Sequence, residues 1–324
     1  MIEKISKLQG IGMLHDSVPK DGDLPLSKAV AIYAENGRGK STFSRLLRSL
    51  TDNDCTEVRA RQALRQDDEP SAELVIDGAQ HTLSQGSWDQ TYDRMHVFDD
   101  RFVEETVSVG SLIGVKHLER LLAHALENGT AETAEDIADA LEDCRYGVNS
   151  RLREMGADFE LARLERSDAG ETPRADYALR LMGHEVPLVT SEPTSPSFST
   201  TLGPGDRRML GLALFFYGLD GDVGIIGKTV VLDDPAVGLD RRRKTKLAEE
   251  IMGYVGRVQL IVLSHDAEFI KMMQERGFEQ VLQLQRVGVY CGFTECDIDE
   301  ILAKDYTERF IEPENYQTGG HPTF

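Results

Sequence analysis

Ala31-Ile32-Tyr33-Ala34-Glu35-Asn36-Gly37-Arg38-Gly39-Lys40-Ser41-Thr42 runs from an apolar strand through a glycine-rich turn into a helix. The strand reads Val30 to Tyr33. The helix opens at Lys40 and is apolar at Phe43, Leu46, Leu47 and Leu50, the spacing of one helical face. In such a turn Gly37 and Gly39 let the backbone curl until successive N–H groups and the positive end of the helix point at one anion. The stretch Asn36, Gly37, Arg38, Gly39, Lys40, Ser41 and Thr42 is therefore a phosphate cradle. Lys40 reaches the β- and γ-phosphates, and the Ser41 hydroxyl is a Mg²⁺ ligand. Ala34 replaces the first glycine of G-x-x-x-x-G-K-[ST], which leaves the rest of the loop physics intact.

A second stretch supplies what a nucleotide cradle lacks. Thr229-Val230-Val231-Leu232-Asp233-Asp234-Pro235 is a buried-type strand ending in two carboxylates. Asp233 suits a metal ligand and Asp234 a general base that polarises an attacking water. Taken alone, Asp-Asp at a strand end is equally consistent with capping a turn. Further on, Gln259-Leu260-Ile261-Val262-Leu263 ends in Ser264-His265-Asp266. His265 at that strand end reaches a γ-phosphate, although a lone histidine is more often a surface or helix-capping residue. The chain order of phosphate loop, carboxylate strand and histidine strand favours the functional reading of all three.

The 324 residues carry a formal net charge of −20. That opposes a broad nucleic-acid surface, because phosphate contact needs clustered Lys and Arg. A local basic groove remains open. The one dense basic run, Arg241-Arg242-Arg243-Lys244, reads as a solvated helix face or a partner contact. Apolar runs are shorter than the roughly 20 residues of a membrane helix, and Met1 to Ile5 lacks a signal-peptide core, so a cytoplasmic protein is expected. Cys55, Cys144, Cys291 and Cys296 lack C-x-x-C spacing and read as reduced thiols.

Three regions are expected. Residues 1–115 read as mixed strands (Lys4 to Leu8, Val30 to Tyr33, Ala72 to Ile76, Met95 to Phe98) and helix. Residues 116–195 are a helical insertion with its connector, and residues 196–324 return to α/β character. Within the insertion Leu118, Leu121, Leu122, Ala125 and Leu126 make one apolar stripe, followed by the turn Asn128-Gly129-Thr130. Ile137, Leu141, Cys144, Val148, Leu152, Met155 and Phe159 make another. Two antiparallel helices forming a short coiled-coil hairpin, or a helical subdomain packed on the core, would bury both stripes. Glu185 to Ser199 reads as an irregular connector. The nucleotide core is thus expected to be discontinuous.

These motifs, with Val97-Phe98-Asp99-Asp100-Arg101-Phe102-Val103, resemble the ABC-type P-loop ATPase heads of SMC and RecF-like recombination-repair proteins, and among them the AAA-domain ATPases related to PrrC and RloC. The resemblance implies an α/β ABC-ATPase-like head that binds ATP and Mg²⁺ between two copies. It implies a signature segment before the carboxylate strand, here Thr201-Leu202-Gly203-Pro204-Gly205-Asp206, with Gly203, Gly205 and Asp206 contacting the neighbour's nucleotide. Gly203 stands where a serine is usual, leaving the backbone N–H groups of the helix start to bind the anion. A D-loop follows at Ala236 to Asp240, with Asp240 facing the nucleotide. Asp99 or Asp100 sits where related heads place a metal- and water-sensing glutamine. The insertion is much shorter than the coils of relatives.

The expected function is a slow, Mg-dependent ATPase whose ATP-driven head-to-head dimerisation works as a switch. The resemblance points to phage defence or a nucleic-acid process with a separate nuclease effector. A non-hydrolysing ATP-gated scaffold and a DNA-clamping repair or chromosome-maintenance ATPase are the alternatives.

Overall fold

The computed structural model describes residues 1–19, 22–63, 69–107, 134–167, 174–187 and 201–310. Its centre is a six-stranded sheet assembled from both ends of the chain. The strands are β3 (Ala29–Tyr33), β7 (Met95–Phe98), β11 (Thr229–Asp233), β12 (Gln259–Ser264), β13 (Gln280–Val287) and β14 (Tyr290–Glu295), in the order β14-β13-β3-β12-β11-β7. From β13 to β7 every pairing is parallel, with Val231 opposite Ile261 and Val262 opposite Ala31; only β14 is antiparallel. A parallel sheet is stable when both faces are covered, and these strands are apolar on both.

Side chains alternate across the sheet. Val30, Ile32, Val231, Ile261 and Leu263 face one core, which contains Phe43, Leu46, Leu47 and Leu50 of α1 (Lys40–Asp52). The far side of that core is an antiparallel sheet ordered β2-β1-β4-β5-β6: β1 (Ile2–Gln9), β2 (Leu24–Pro25), β4 (Ser71–Ile76), β5 (Ala79–Ser84) and β6 (Ser87–Trp88). A short α2 (Thr56–Arg59) follows α1, and α3 (Asp100–Val107) follows β7.

Ala31, Tyr33, Val230, Leu232, Leu260 and Val262 face the opposite core, under α4 (Ala134–Met155), α5 (Pro204–Gly221), α6 (Arg241–Met252), α7 (Ala267–Glu275) and α8 (Ile298–Phe310). α5 carries apolar residues around most of its circumference, from Met209 to Leu219, as befits a helix buried in a core.

The insertion differs from expectation. Leu141, Cys144, Val148, Leu152 and Met155 do form one buried stripe on α4. Phe159 does not continue it, because the helix stops at Gly156 (φ +80), where the Ala157 N–H donates to Leu152 O at 2.8 Å. Phe159 instead begins β8 (Phe159–Ser167) of a three-stranded antiparallel sheet with β9 (Arg174–Leu181) and β10 (His184–Pro187). Residues 159–167, expected to be helix within the insertion, are therefore strand, and the expected connector opens as strand at Glu185. The charges that disguised them pair across one face: Arg180 donates to Glu160 at 3.0 Å and Glu185 at 3.4 Å. The first stripe of the expected hairpin, its turn and the connector beyond Pro187 lie outside the described residues.

Candidate functional site

The phosphate turn leaves β3 at the carboxyl edge of the sheet. Gly37 (φ +77) and Gly39 (φ +105) take left-handed conformations there. A Cβ on Gly37 would meet open space, whereas one on Gly39 would come within 3.1 Å of Leu14. Asn36 is exposed, and Arg38 donates to Glu35 at 3.1 Å. Lys40 is only 5% exposed; its Nζ donates to Ala34 O at 2.8 Å and lies 3.4 Å from Asp234 Oδ2. Ser41 and Thr42 are half-buried on the first turn of α1.

The turn faces the ends of β11 and β12. Ser44 donates to Asp233 Oδ2 at 2.7 Å. The other oxygen, Oδ1, is buried and has no hydrogen-bond partner among the described residues. Burial, with the neighbouring Asp234 charge adding to it, pushes the Asp233 carboxyl up to about 6; the Ser44 and Ser41 hydroxyls and Arg208 act the other way. An orphaned carboxylate oxygen beside a serine hydroxyl is a donor set that suits Mg²⁺, a hard cation that takes oxygen ligands.

Asp234 adopts φ +47, left-handed and uncommon for an aspartate. Its N–H still donates to Leu263 O at 2.8 Å, while Oδ1 accepts from the His265 N–H at 2.9 Å and lies 2.9 Å from His265 Nδ1. Lys40, Asp234 and His265 thus form one chain of contacts across three strand ends.

Asp99 and Asp100 are placed otherwise than a metal role expects. Asp99 is buried, with both oxygens held by the Arg48 guanidinium at 2.8 and 2.6 Å, and it also caps α3 through the Phe102 N–H at 2.9 Å. Asp100 accepts from Arg208 at 2.6 Å. A bidentate arginine leaves Asp99 poorly suited to a cation. Among the described residues no cluster of three or more His, Cys, Asp or Glu is arranged to hold a metal.

Gly203 is the N-cap of α5 in extended conformation (φ −68, ψ 167), followed by Pro204 at the first helical position. Gly205 is buried against the loop at 236–240: a Cβ on it would fall 2.4 Å from Gly238 O, and Gly238 itself has φ +75. Asp206 accepts from Arg243 at 3.1 Å, and Asp240 caps α6 by accepting from the Arg243 N–H at 3.0 Å.

Sequence reasoning passed over the loop after β1. Cys291 N–H donates to Met13 O at 2.8 Å, which lays this loop along β14, and the His15 ring sits 4.6 Å from Tyr290. Leu14 touches Gly39, so the loop flanks the phosphate turn. The left-handed Gly10 and Gly12 were its one sequence signal. Arg48 and Arg208 were also passed over, because their partners lie far along the chain, and Arg243, read as part of a solvated helix face or a partner contact, instead pairs within the fold with Asp206 and Asp158.

No protein-family model matches the chain, and no curated protein sequence does either. Its fold does have likenesses. An SMC head bound to the C-winged-helix domain of ScpA superposes with a TM-score of 0.57 at 14% identity, covering 93% of this chain and 99% of that one. The Smc head with an extended coiled coil bound to the C-terminal domain of ScpA, derived from Pyrococcus furiosus, gives 0.54 at 11% identity over 95% and 99%. At these identities the likeness is one of fold: the chain carries an SMC-head-like α/β architecture with mixed sheets, consistent with a P-loop, ABC-ATPase-like fold.

Proposed function

We propose that this chain is a Mg-dependent, ATP-hydrolysing head that closes on a second copy of itself. The observation that carries the reading is the partnerless buried Oδ1 of Asp233, set at a strand end facing a glycine turn that holds Lys40 and Ser41. In this reading the amides from Asn36 to Thr42 hold the phosphates and Lys40 exchanges its loop carbonyls for them. Ser41 and Asp233 hold Mg²⁺, which when bound neutralises phosphate charge. Asp234 accepts the proton of the attacking water, and His265 orients that carboxylate and senses the γ-phosphate. Gly203, Gly205, Asp206 and Asp240 face the neighbour's nucleotide. His15 and Tyr290 flank the base.

Slow turnover follows from two features: Asp234 is already engaged by His265 and Lys40, and Gly203 offers no hydroxyl. Losing one positioned donor costs on the order of 10²-fold in rate. The same engagement of Asp234 favours a second reading, a scaffold that closes on ATP without hydrolysing it. The SMC heads of like fold were solved with ScpA domains, which supports a protein partner as the third component. Kinship with PrrC and RloC, and work beside a nuclease in phage defence, rest on the sequence resemblance alone.

Mg-dependent ATP hydrolysis by the purified protein and by Asp234→Ala, with oligomeric state recorded in the same samples, tests the reading. Turnover that is lost in the variant while ATP-dependent dimers accumulate is the expected result. Dimers that persist on ATP without turnover in the wild type support the scaffold. Absence of ATP binding overturns both.

A further inference from the structure

Arg243, on the first turn of α6, gathers three segments that are distant in sequence. Its side chain is 18% exposed. Nη1 donates to Asp206 on the signature helix at 3.1 Å, Nε donates to Gly156 O at 3.2 Å, and Nη2 donates to Asp158 at 2.7 Å. Nε also lies 3.6 Å from Asp240, the cap of its own helix. Gly156 to Asp158 is the joint where α4 ends and β8 begins, and it turns on the left-handed Gly156.

We propose that Arg243 is a positioning residue that passes movement of the signature segment and D-loop to the end of the insertion helix α4. The proposal rests on the nucleotide-switch reading above. Three observations carry it. A Cβ on Gly205 would fall 2.4 Å from Gly238 O and one on Gly238 2.9 Å from Gly205 Cα, so neither the signature segment nor the D-loop can shift toward the other without displacing it. Arg243 joins that pair of segments to the α4–β8 joint through hydrogen bonds to both sides, and its planar fork fixes the geometry of several acceptors at once where a lysine would offer one point charge. A second polar tie from α4 to these helices, Arg151 with Asp220 and Glu250, grips their C-terminal halves, away from the nucleotide edge, and the rest of their contact is apolar packing. Asp158 is 85% exposed, and an ion pair with so exposed a carboxylate adds little to stability. What it supplies is direction: a shift of Asp206 or Asp240 repositions the guanidinium, and Gly156 O and Asp158 follow.

Amide hydrogen exchange with and without Mg-ATP, on the full chain, separates this from a merely structural role. In the wild type, Mg-ATP is expected to slow exchange both in peptides covering residues 34–42 and in those covering 139–155. In Arg243→Ala the first protection is kept, at unchanged ATP affinity, and the second is lost. Asp158→Ala, a surface change that leaves the fold intact, reduces the second protection, and Arg243→Lys restores it only in part. Protection of 139–155 that survives in both Arg243→Ala and Asp158→Ala overturns the inference, as does its absence in a wild type whose 34–42 region is protected. If Mg-ATP protects nothing at 34–42, the nucleotide reading itself fails.

Discussion

The two halves of the candidate site are built by different means. The phosphate half is made of side chains: Lys40 and Ser44 on α1 meet Asp233, Asp234 and His265 at the ends of β11 and β12 within hydrogen-bond reach. The other half is made of backbone: Gly205 and Gly238 bring two loops into contact that no Cβ would permit, and arginines clamp the helices behind them. Side-chain sites announce themselves by residue type. Backbone sites are defined by atoms that are missing, so their tolerance to substitution is the sharper test of how they are made.

Gly205→Ala breaks the comparison most directly. The added methyl group would lie 2.4 Å from Gly238 O, and backbone on the far side cannot swing away as a side chain can. Overpacking of this kind costs on the order of 3 kcal/mol, or a fall in Tm of roughly 4–5 °C. Gly203→Ala, whose Cβ would meet only Asp206 Oδ2 at 3.7 Å, is the control and costs only the poorer N-cap, about 1 kcal/mol. Equal melting of the two variants would remove the backbone contact as the organising feature of this half.

For the phosphate half the corresponding change is Asp233→Asn. Burial raises the folded-state carboxyl to about 6 from 3.8. A raised acid stabilises the fold while protonated, so that contribution is complete below about pH 4 and is lost as pH rises through about 6. The amide in the variant does not titrate. Thermal melts of the metal-free proteins should coincide near pH 4 and diverge up to about pH 6.5, the variant then ahead by on the order of 3 kcal/mol. Mg²⁺ should raise the Tm of the wild type only. A pH-independent difference would mean that Asp233 is not the strained charge.

What was legible in the sequence follows the same division. The parallel strands, the phosphate turn and the order of Lys40, Asp233, Asp234 and His265 could be read because each depends on a few consecutive residues. The three-stranded sheet after α4 could not. Glu160, Arg163, Arg166 and Arg180 give it the charge density of a surface helix, and the pairing of Glu160 with Arg180 across two strands shows only in the folded chain. Asp99 and Asp100 were legible as carboxylates at a strand end but not as the partners of Arg48 and Arg208, the latter 108 residues from Asp100. Pairings of that separation leave no local pattern.

Gly203→Ser sharpens the comparison with the smallest perturbation, since it adds a side chain to the half that lacks one. Gly203 is an N-cap whose extended backbone (φ −68, ψ 167) accepts any residue, and the space beside it is open to 3.7 Å. Serine is a better N-cap than glycine by a few tenths of a kcal/mol, so Tm should rise by about 1 °C. The hydroxyl also adds one donor where the neighbour's phosphate is proposed to lie. A hydrogen bond to a charged group contributes about 1.5–3 kcal/mol, which predicts ATP-dependent dimerisation strengthened roughly tenfold or more by analytical ultracentrifugation. A variant that melts higher but dimerises no better would show that this segment closes the helix and nothing beyond it, and the backbone half would then be scaffold rather than site.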